Sequence, residues 1–229
     1  MLHIGIVACS AEGAALCYKT ICIEGESILG AHAHPEVSLH SHSFGDYMRC
    51  IEVQDWAGVG ELMLSSAQKL ARIGADFLIC PDNTIHQSLP HIAARLPLPW
   101  LHIAEVVAEV AVQRGFRRIG LTGTRWLIDS EVYPQALQAR GLSFARPSAA
   151  EKDAVNDIIM GELVKGRLTA DAAHDLVRVI EALKQQGSDA VVLGCTEIPL
   201  IINDGNSPLP TLDSTRLLAR AALVRAARG

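Results

Sequence analysis

The chain has no apolar run approaching the roughly 20 residues that a membrane-spanning helix needs, and its lysines and arginines are scattered rather than clustered. The first absence excludes a transmembrane helix. The second, with a formal charge of −5, leaves no electrostatic footprint for nucleic acid or for a membrane surface. Aromatic residues are scarce at 4%, so small and aliphatic side chains must form the core, and plentiful Ala and Gly suit helices packed closely on a sheet. No glycine pattern matches a dinucleotide or P-loop fingerprint, so no motif supports nucleotide binding. The six cysteines have neither the paired spacing of a zinc ribbon nor the density of a disulfide scaffold. The N-terminus enters a strand pattern at once, with no room for a signal peptide. Together these predict reduced thiols and a cytoplasmic protein.

What is present is an alternation of strand and helix patterns over 229 residues, enough for one large domain or two small ones. Short apolar runs bounded by Gly, Pro or Asp predict strands at 2–8, 36–42, 76–80, 99–103, 117–122 and 189–194. Helical spacing predicts helices over 57–73, 151–165 and 169–186, the last capped by Gly187, and a closing helix from Asp213 to Arg228 that packs back on the first half. This is an α/β doubly wound pattern. Asp76-Phe-Leu-Ile-Cys-Pro-Asp-Asn-Thr-Ile-His86 is echoed by Asp189-Ala-Val-Val-Leu-Gly-Cys-Thr-Glu-Ile-Pro199, which lays Cys195 on Asp82. His3-Ile-Gly-Ile-Val-Ala-Cys9 is echoed by Arg118-Ile-Gly-Leu-Thr-Gly-Thr124, with Tyr18 and Tyr133 following at the same distance. The duplication predicts two pseudo-symmetric lobes with parallel sheets, residues 1–98 plus 211–229 and residues 99–210, with a cleft between them. Ligands of such sheets bind beyond the carboxyl ends of the strands, where Asp82 and Cys195 both fall.

Gly194 lets the turn present the Cys195 thiol at a strand end, and Thr196 follows with a hydroxyl and an amide. A helix start there would favour thiolate and a bound carboxylate. Leu-Gly-Cys-Thr-Glu-Ile-Pro-Leu-Ile (193–201) resembles the second signature of the aspartate/glutamate racemase superfamily. Pro-Asp-Asn-Thr-Ile-His (81–86) is similar to its first signature, usually Cys-Asn-Thr-Ala-His. Weaker matches at His34-Pro35, 41–44, 101–104, 120–124 and 162–166 extend the likeness over nearly the whole chain. The resemblance implies a homodimeric amino-acid racemase or epimerase that needs neither pyridoxal phosphate nor metal. One cysteine removes the α-proton and another reprotonates the opposite face. It makes Cys195 one of the two proton carriers. It assigns the substrate carboxylate to Asn83, Thr84, Thr124 and Thr196, with Gly123 and Ser10 beside them.

Asp82 departs from the pattern by occupying the first cysteine position. A free carboxyl near 3.9 against a thiol near 8.5 makes it the weaker base by roughly 6 kcal/mol before any tuning by its surroundings. Cys80 lies two residues upstream, too far back to replace it. An Asp–Cys pair implies a slower reaction from one enantiomer. The superfamily's single-cysteine chemistry, arylmalonate decarboxylation or maleate isomerisation, is the alternative, and a carboxylate-binding protein without turnover is a third reading. His32, His34, His40 and His42 share parity, but Pro35 interrupts the run and no carboxylate completes a metal motif. His42 and Ser43 are expected to line the pocket. His86 and His102 are expected to be hydrogen-bonded turn or core residues. Arg49, Arg125 and Lys165 are candidate carboxylate partners, with a solvated ion pair as the ordinary role of each.

Overall fold

The buried aliphatic runs become strands because their side chains can be covered on both faces, and the computed structural model, which describes residues 1–229, contains eight strands and ten α-helices. They form two α/β units, residues 1–106 with 215–229 and residues 107–214.

In the first unit the order is β1 (Ile4–Ala8), α1 (Ala11–Leu29), β2 (Val37–Ser41), α2 (Phe44–Glu52), α3 (Trp56–Arg72), β3 (Phe77–Ile79), α4 (Leu89–Ile92) and β4 (Trp100–Leu101). Its sheet is parallel throughout, in the order β2-β1-β3-β4. Every residue of β1 and β3 is buried. Helix α3 starts where the Asp55 carboxylate accepts the Gly58 amide at 2.8 Å, and it buries Val59, Met63, Ala67 and Leu70 as the spacing predicts. Helix α5 (Ile103–Gln113) runs from the first unit into the second.

The second unit holds β5 (Arg118–Thr122), α6 (Arg125–Ile128), α7 (Val132–Gln138), β6 (Ser143–Ala145), α8 (Ala149–Gly161), α9 (Ala170–Gln185), β7 (Ala190–Leu193) and β8 (Thr211–Asp213). Its parallel sheet has the order β6-β5-β7-β8, the same winding as the first. A capping box between Ser148 and Glu151 starts α8. Gly187 adopts φ +89° just past α9 and donates to the Lys184 carbonyl at 2.8 Å, as a helix stop should. The closing helix α10 (Ser214–Arg228) belongs from Thr215 onward to the first unit. There the Leu2 amide reaches the Ala226 carbonyl at 3.0 Å, Arg220 pairs with Glu24, and the Arg225 guanidinium lies 4.7 Å from the Phe77 ring centre.

The sequence echo has a structural counterpart. The Asp76 carboxylate accepts the His3 amide at 2.7 Å, and the Asp189 carboxylate accepts the Arg117 and Arg118 amides at 2.8 and 3.1 Å. Each aspartate thus ties the start of one central strand to the start of the other. Leu78 donates to the Pro99 carbonyl in one unit, and Val191 to the Pro210 carbonyl in the other.

Three details differ from the sequence reading. The unit boundaries fall later than 98 and 210, because β4 pairs with β3 and so belongs to the first sheet, while β8 pairs with β7 and belongs to the second. The tyrosine echo fails, since Tyr18 is 46% exposed on α1 whereas Tyr133 is 1% exposed in α7. Strands β6 and β8 were not predicted, because Ser143-Phe-Ala145 and Thr211-Leu-Asp213 contain no apolar run like that of β3.

Candidate active site

Each sheet reverses its winding between its two central strands. The loops that leave those strands at the carboxyl edge flank a switch point, where α/β sheets bind ligands. In the first unit these loops follow β1 and β3, and in the second they follow β5 and β7.

After β1, Ser10 caps α1 by accepting the Gly13 amide at 3.3 Å. After β3 the chain leaves through Cys80 and Pro81 into Asp82. The Asp82 carboxylate accepts the Ile85 amide at 3.3 Å, and a short 3₁₀ turn, Thr84–Ser88, follows. Asn83 and Thr84 are buried, while Asp82 is half-buried. His86 fixes this loop from behind. Its Nδ1 lies 2.6 Å from the Asp82 carbonyl, which can only accept, so Nδ1 carries the hydrogen. Its Nε2 then accepts the Trp100 indole N–H at 3.3 Å. A neutral ring satisfies both bonds, and burial, with His102 beside it, holds the His86 pKa well below the usual histidine range. His102 is also lowered by burial, and its Nδ1 accepts the Ala104 amide. Both histidines are therefore clamps, as expected. Cys80 is fully buried with Sγ 3.8 Å from the Asp82 carbonyl, and burial together with the Asp82 charge pushes its thiol well up. Such a thiol is inert.

In the second unit, Gly123 and Thr124 follow β5. Gly123 has φ +149°, and a Cβ there would lie 2.8 Å from Leu127 Cδ2 and 3.1 Å from the Gly194 carbonyl oxygen. Thr124 caps α6 by accepting the Leu127 amide at 3.3 Å, and the buried Asn156 side chain accepts the Arg125 amide at 3.2 Å. After β7, Gly194 donates to the Thr122 carbonyl at 3.1 Å, and a Cβ on it would meet that same oxygen at 2.3 Å. Only glycine permits the two strand ends to approach this closely, and the next residue is Cys195. Cys195, Thr196 and Glu197 are all buried, at 8%, 3% and 3% exposed. The Cys195 Sγ lies 2.9 Å from Glu197 Oε2, and the Thr196 hydroxyl donates to the same oxygen at 2.7 Å.

The structure therefore brings Ser10, Asp82, Asn83 and Thr84 to one switch point and Gly123, Thr124, Cys195 and Thr196 to the other. Glu197 was not singled out from the sequence. Its parity with Cys195 was the available signal, but a carboxylate at a turn ordinarily points to solvent. Tyr47 was also missed: buried on α2, its phenol is pushed up by burial and by nearby Cys9, Cys80 and Asp82. The basic candidates lie on exposed positions. Arg49 pairs with Asp46, Arg125 stacks on Trp126, and Lys165 ends a 3₁₀ turn. Of the four clustered histidines, only His40 lies within β2, and its two nitrogens face Ser66 and Lys69 at 2.9 and 3.0 Å. His42 contacts Ser65 and lines a cavity of about 380 Å³ with Cys50 and Glu61. Ser43 precedes α2 without a side-chain cap. None of the six cysteines forms a disulfide, and no helix is long and apolar enough to cross a membrane.

A model of the Asp/Glu/hydantoin racemase family matches residues 20–222. The broad-specificity amino-acid racemase RacX of Bacillus subtilis is 25% identical over 161 residues, 70% of this chain and 69% of that protein. A glutamate racemase of Thermus thermophilus is 30% identical over 159 residues, 66% of this chain but only 55% of the relative's length. Among solved structures, a candidate Asp/Glu racemase from Yersinia pestis superposes with a TM-score of 0.89 at 30% identity, covering 99% of both chains.

Proposed function

Because the chain belongs to the Asp/Glu/hydantoin racemase family, we propose that it is an amino-acid racemase or epimerase in which Asp82 and Cys195 exchange protons with opposite faces of the substrate α-carbon. The observation that carries this reading is the equivalence of the two positions. Each follows the second central strand of its own lobe, tied down by the same aspartate-to-amide bonds. Asn83, Thr84, Thr124 and Thr196, with Ser10 and Gly123, would hold the substrate carboxylate. Proton transfer of this kind requires no cofactor or metal. A homodimer in the cytoplasm completes the proposal, the first part of which sedimentation would test.

The Asp–Cys pair shapes what should be measured. Free enantiomers are of equal energy, so kcat/KM must be the same in both directions. Any asymmetry resides in kcat and KM separately and in the rate at which each enantiomer exchanges its α-proton. The breadth of the RacX name, together with the negative charge that Asp82 brings, favours substrates without an acidic side chain. A second reading is favoured by the presence of a thiol at only one of the two equivalent positions, 82 and 195: Cys195 protonates a carbanion left by loss of carbon dioxide from a malonate. Alpha-proton exchange in D₂O, followed by NMR with L- and D-amino acids and malonates, separates the two. Exchange that vanishes in Cys195→Ala supports the racemase. Decarboxylation without exchange supports the alternative. A ligand bound as tightly by Cys195→Ala as by wild type, with neither reaction detected, leaves a binding protein.

A further inference from the structure

The buried face of α8 is apolar except at Asn156, which is 1% exposed beside Val155, Ile158 and Ile159. An amide in such a place costs free energy unless it is hydrogen-bonded. Asn156 reaches the Arg125 amide, 3.2 Å away, and because that N–H can only donate, the side-chain oxygen is the atom that faces it. The Thr124–Arg125 peptide is thereby held on both sides, its carbonyl accepting the Ile128 amide at 3.0 Å and its N–H donating to Asn156. A peptide unit is planar, so pinning both of its polar atoms fixes the backbone from which the Thr124 side chain projects. One turn back on α8, Lys152 reaches both carboxylate oxygens of Asp129 at 2.8 Å. Residues 156 and 152 thus meet 125 and 129, four apart on each segment, so α8 runs antiparallel along α6 and grips it at both ends.

We propose that Asn156 is a positioning residue for the substrate carboxylate, acting through Thr124. This deepens the racemase reading and rests on it. Thr124 follows β5 at the switch point, and its side chain also caps α6. A loop whose peptide plane could turn would present Thr124 in several orientations, and binding would have to select one of them. The hydrogen bond from α8 sets that orientation before substrate arrives. Lys152 is the lesser half of the clamp, since its partner Asp129 is exposed and water competes for the pair. The carboxylate is held alike before and during proton transfer, so loosening Thr124 removes binding that substrate and transition state share. That raises KM and leaves kcat nearly unchanged. KM should rise for both enantiomers together, as their equal kcat/KM demands.

The first test is hydrogen exchange of the Arg125 amide in substrate-free protein, followed by NMR. Asn156→Leu keeps the size of the side chain and removes its acceptor. It should speed that exchange about tenfold while the Val192 amide in β7 keeps its protection. Asn156→Asp retains an accepting oxygen one turn from Lys152 and should restore most of the protection. In turnover, Asn156→Leu should raise KM about tenfold for both enantiomers with kcat within about twofold of wild type, and Asn156→Asp should return KM towards wild type. Lys152→Met acts at the other, half-buried end of the clamp and carries the test if the Leu variant does not fold. About twofold faster exchange and a twofold higher KM are expected of it. Unchanged Arg125 exchange in the folded variant, a loss confined to kcat, or an Asp variant no better than Leu overturns the proposal. Amide exchange involves no substrate, so a failed clamp shows there. Absence of α-proton exchange in wild type instead overturns the racemase reading, and with it the positioning role, while leaving the clamp itself intact.

Discussion

The two lobes share one winding and one strand-tying device, yet their chemistry is unequally distributed. The first lobe holds five of the six cysteines and all the histidines except His174. The second holds only Cys195 at its switch point. In the first, the strand-end group is a half-buried carboxylate that accepts a backbone amide, with a neutral histidine behind the loop. In the second, it is a buried thiol that donates to a carboxylate. Duplication preserved the scaffold, because hydrogen bonds such as Asp76 to His3 and Asp189 to Arg118 fix how the central strands register. The residues just beyond the strands differ between the lobes, a carboxylate in one and a thiol in the other, although both loops bury several of their side chains.

The largest effects should come from breaking the thiol side. Cys195→Ala is expected to lower α-proton exchange by roughly 10³–10⁴-fold, and Asp82→Asn by about 10²-fold, as befits removal of a strong and a weak proton carrier. Both are read by NMR in D₂O, and equal losses would mean that the lobes contribute alike. Asp82→Cys should erase the contrast, raising exchange and bringing the kcat values of the two enantiomers together. If every rate stayed unchanged, position 82 would have no part in proton transfer.

The next comparison concerns stability. Gly194→Ala puts a methyl group against the Thr122 carbonyl at 2.3 Å, and should cost about 1–3 kcal/mol or more in denaturant unfolding. Gly115→Ala, equally in the second lobe but with open space at its Cβ and φ +79°, should cost only the backbone strain of about 1 kcal/mol.

Acid should then divide the lobes. His40, His42, His86 and His102 are all lowered from the usual histidine value, chiefly by burial, and all lie in the first lobe. A folded-state value below the unfolded one means that the unfolded chain binds more protons below pH 6.5. Their contribution is therefore complete above about pH 6.5 and falls as the pH drops beneath it. Hydrogen exchange at pH 7.5 and 5.5 should show first-lobe amides losing protection before those of the second, and His86→Gln should flatten that difference. The smallest effect is expected at the exposed Arg220–Glu24 pair that ties α10 to α1. Arg220→Ala should cost about 0.5 kcal/mol. It should also remove the pairing that holds the Glu24 carboxyl below its usual range, and with it stability otherwise lost as the pH falls through about 4.5 and below.

Much of this was legible in one dimension. The residues Asp76 and Asp189 marked the duplication because an aspartate at a strand start has a fixed task in both lobes. Asp82, Cys195 and their neighbours stood out because Pro or Gly precedes each at the end of an apolar run. Less was legible where the signal is weak or the partner distant. Strands β6 and β8 lack an apolar run like that of β3, and β4 was assigned to the wrong side of the division because its pairing with β3 lies about twenty residues away. The Tyr18–Tyr133 echo misled because equal spacing says nothing about which side of a helix faces a core.

By itself the sequence determined the α/β class, the repeat, and the strand-end positions of Asp82 and Cys195, since these follow from local periodicity and from turns that only particular residues allow. The tertiary structure alone decided that Glu197 turns inward onto the Cys195 thiol, that His86 is neutral with its hydrogen on Nδ1, and that Gly194 is pressed against Thr122. Those depend on distances between atoms of separate segments or opposite side-chain orientations, which burial and hydrogen-bond satisfaction fix only once the chain has folded.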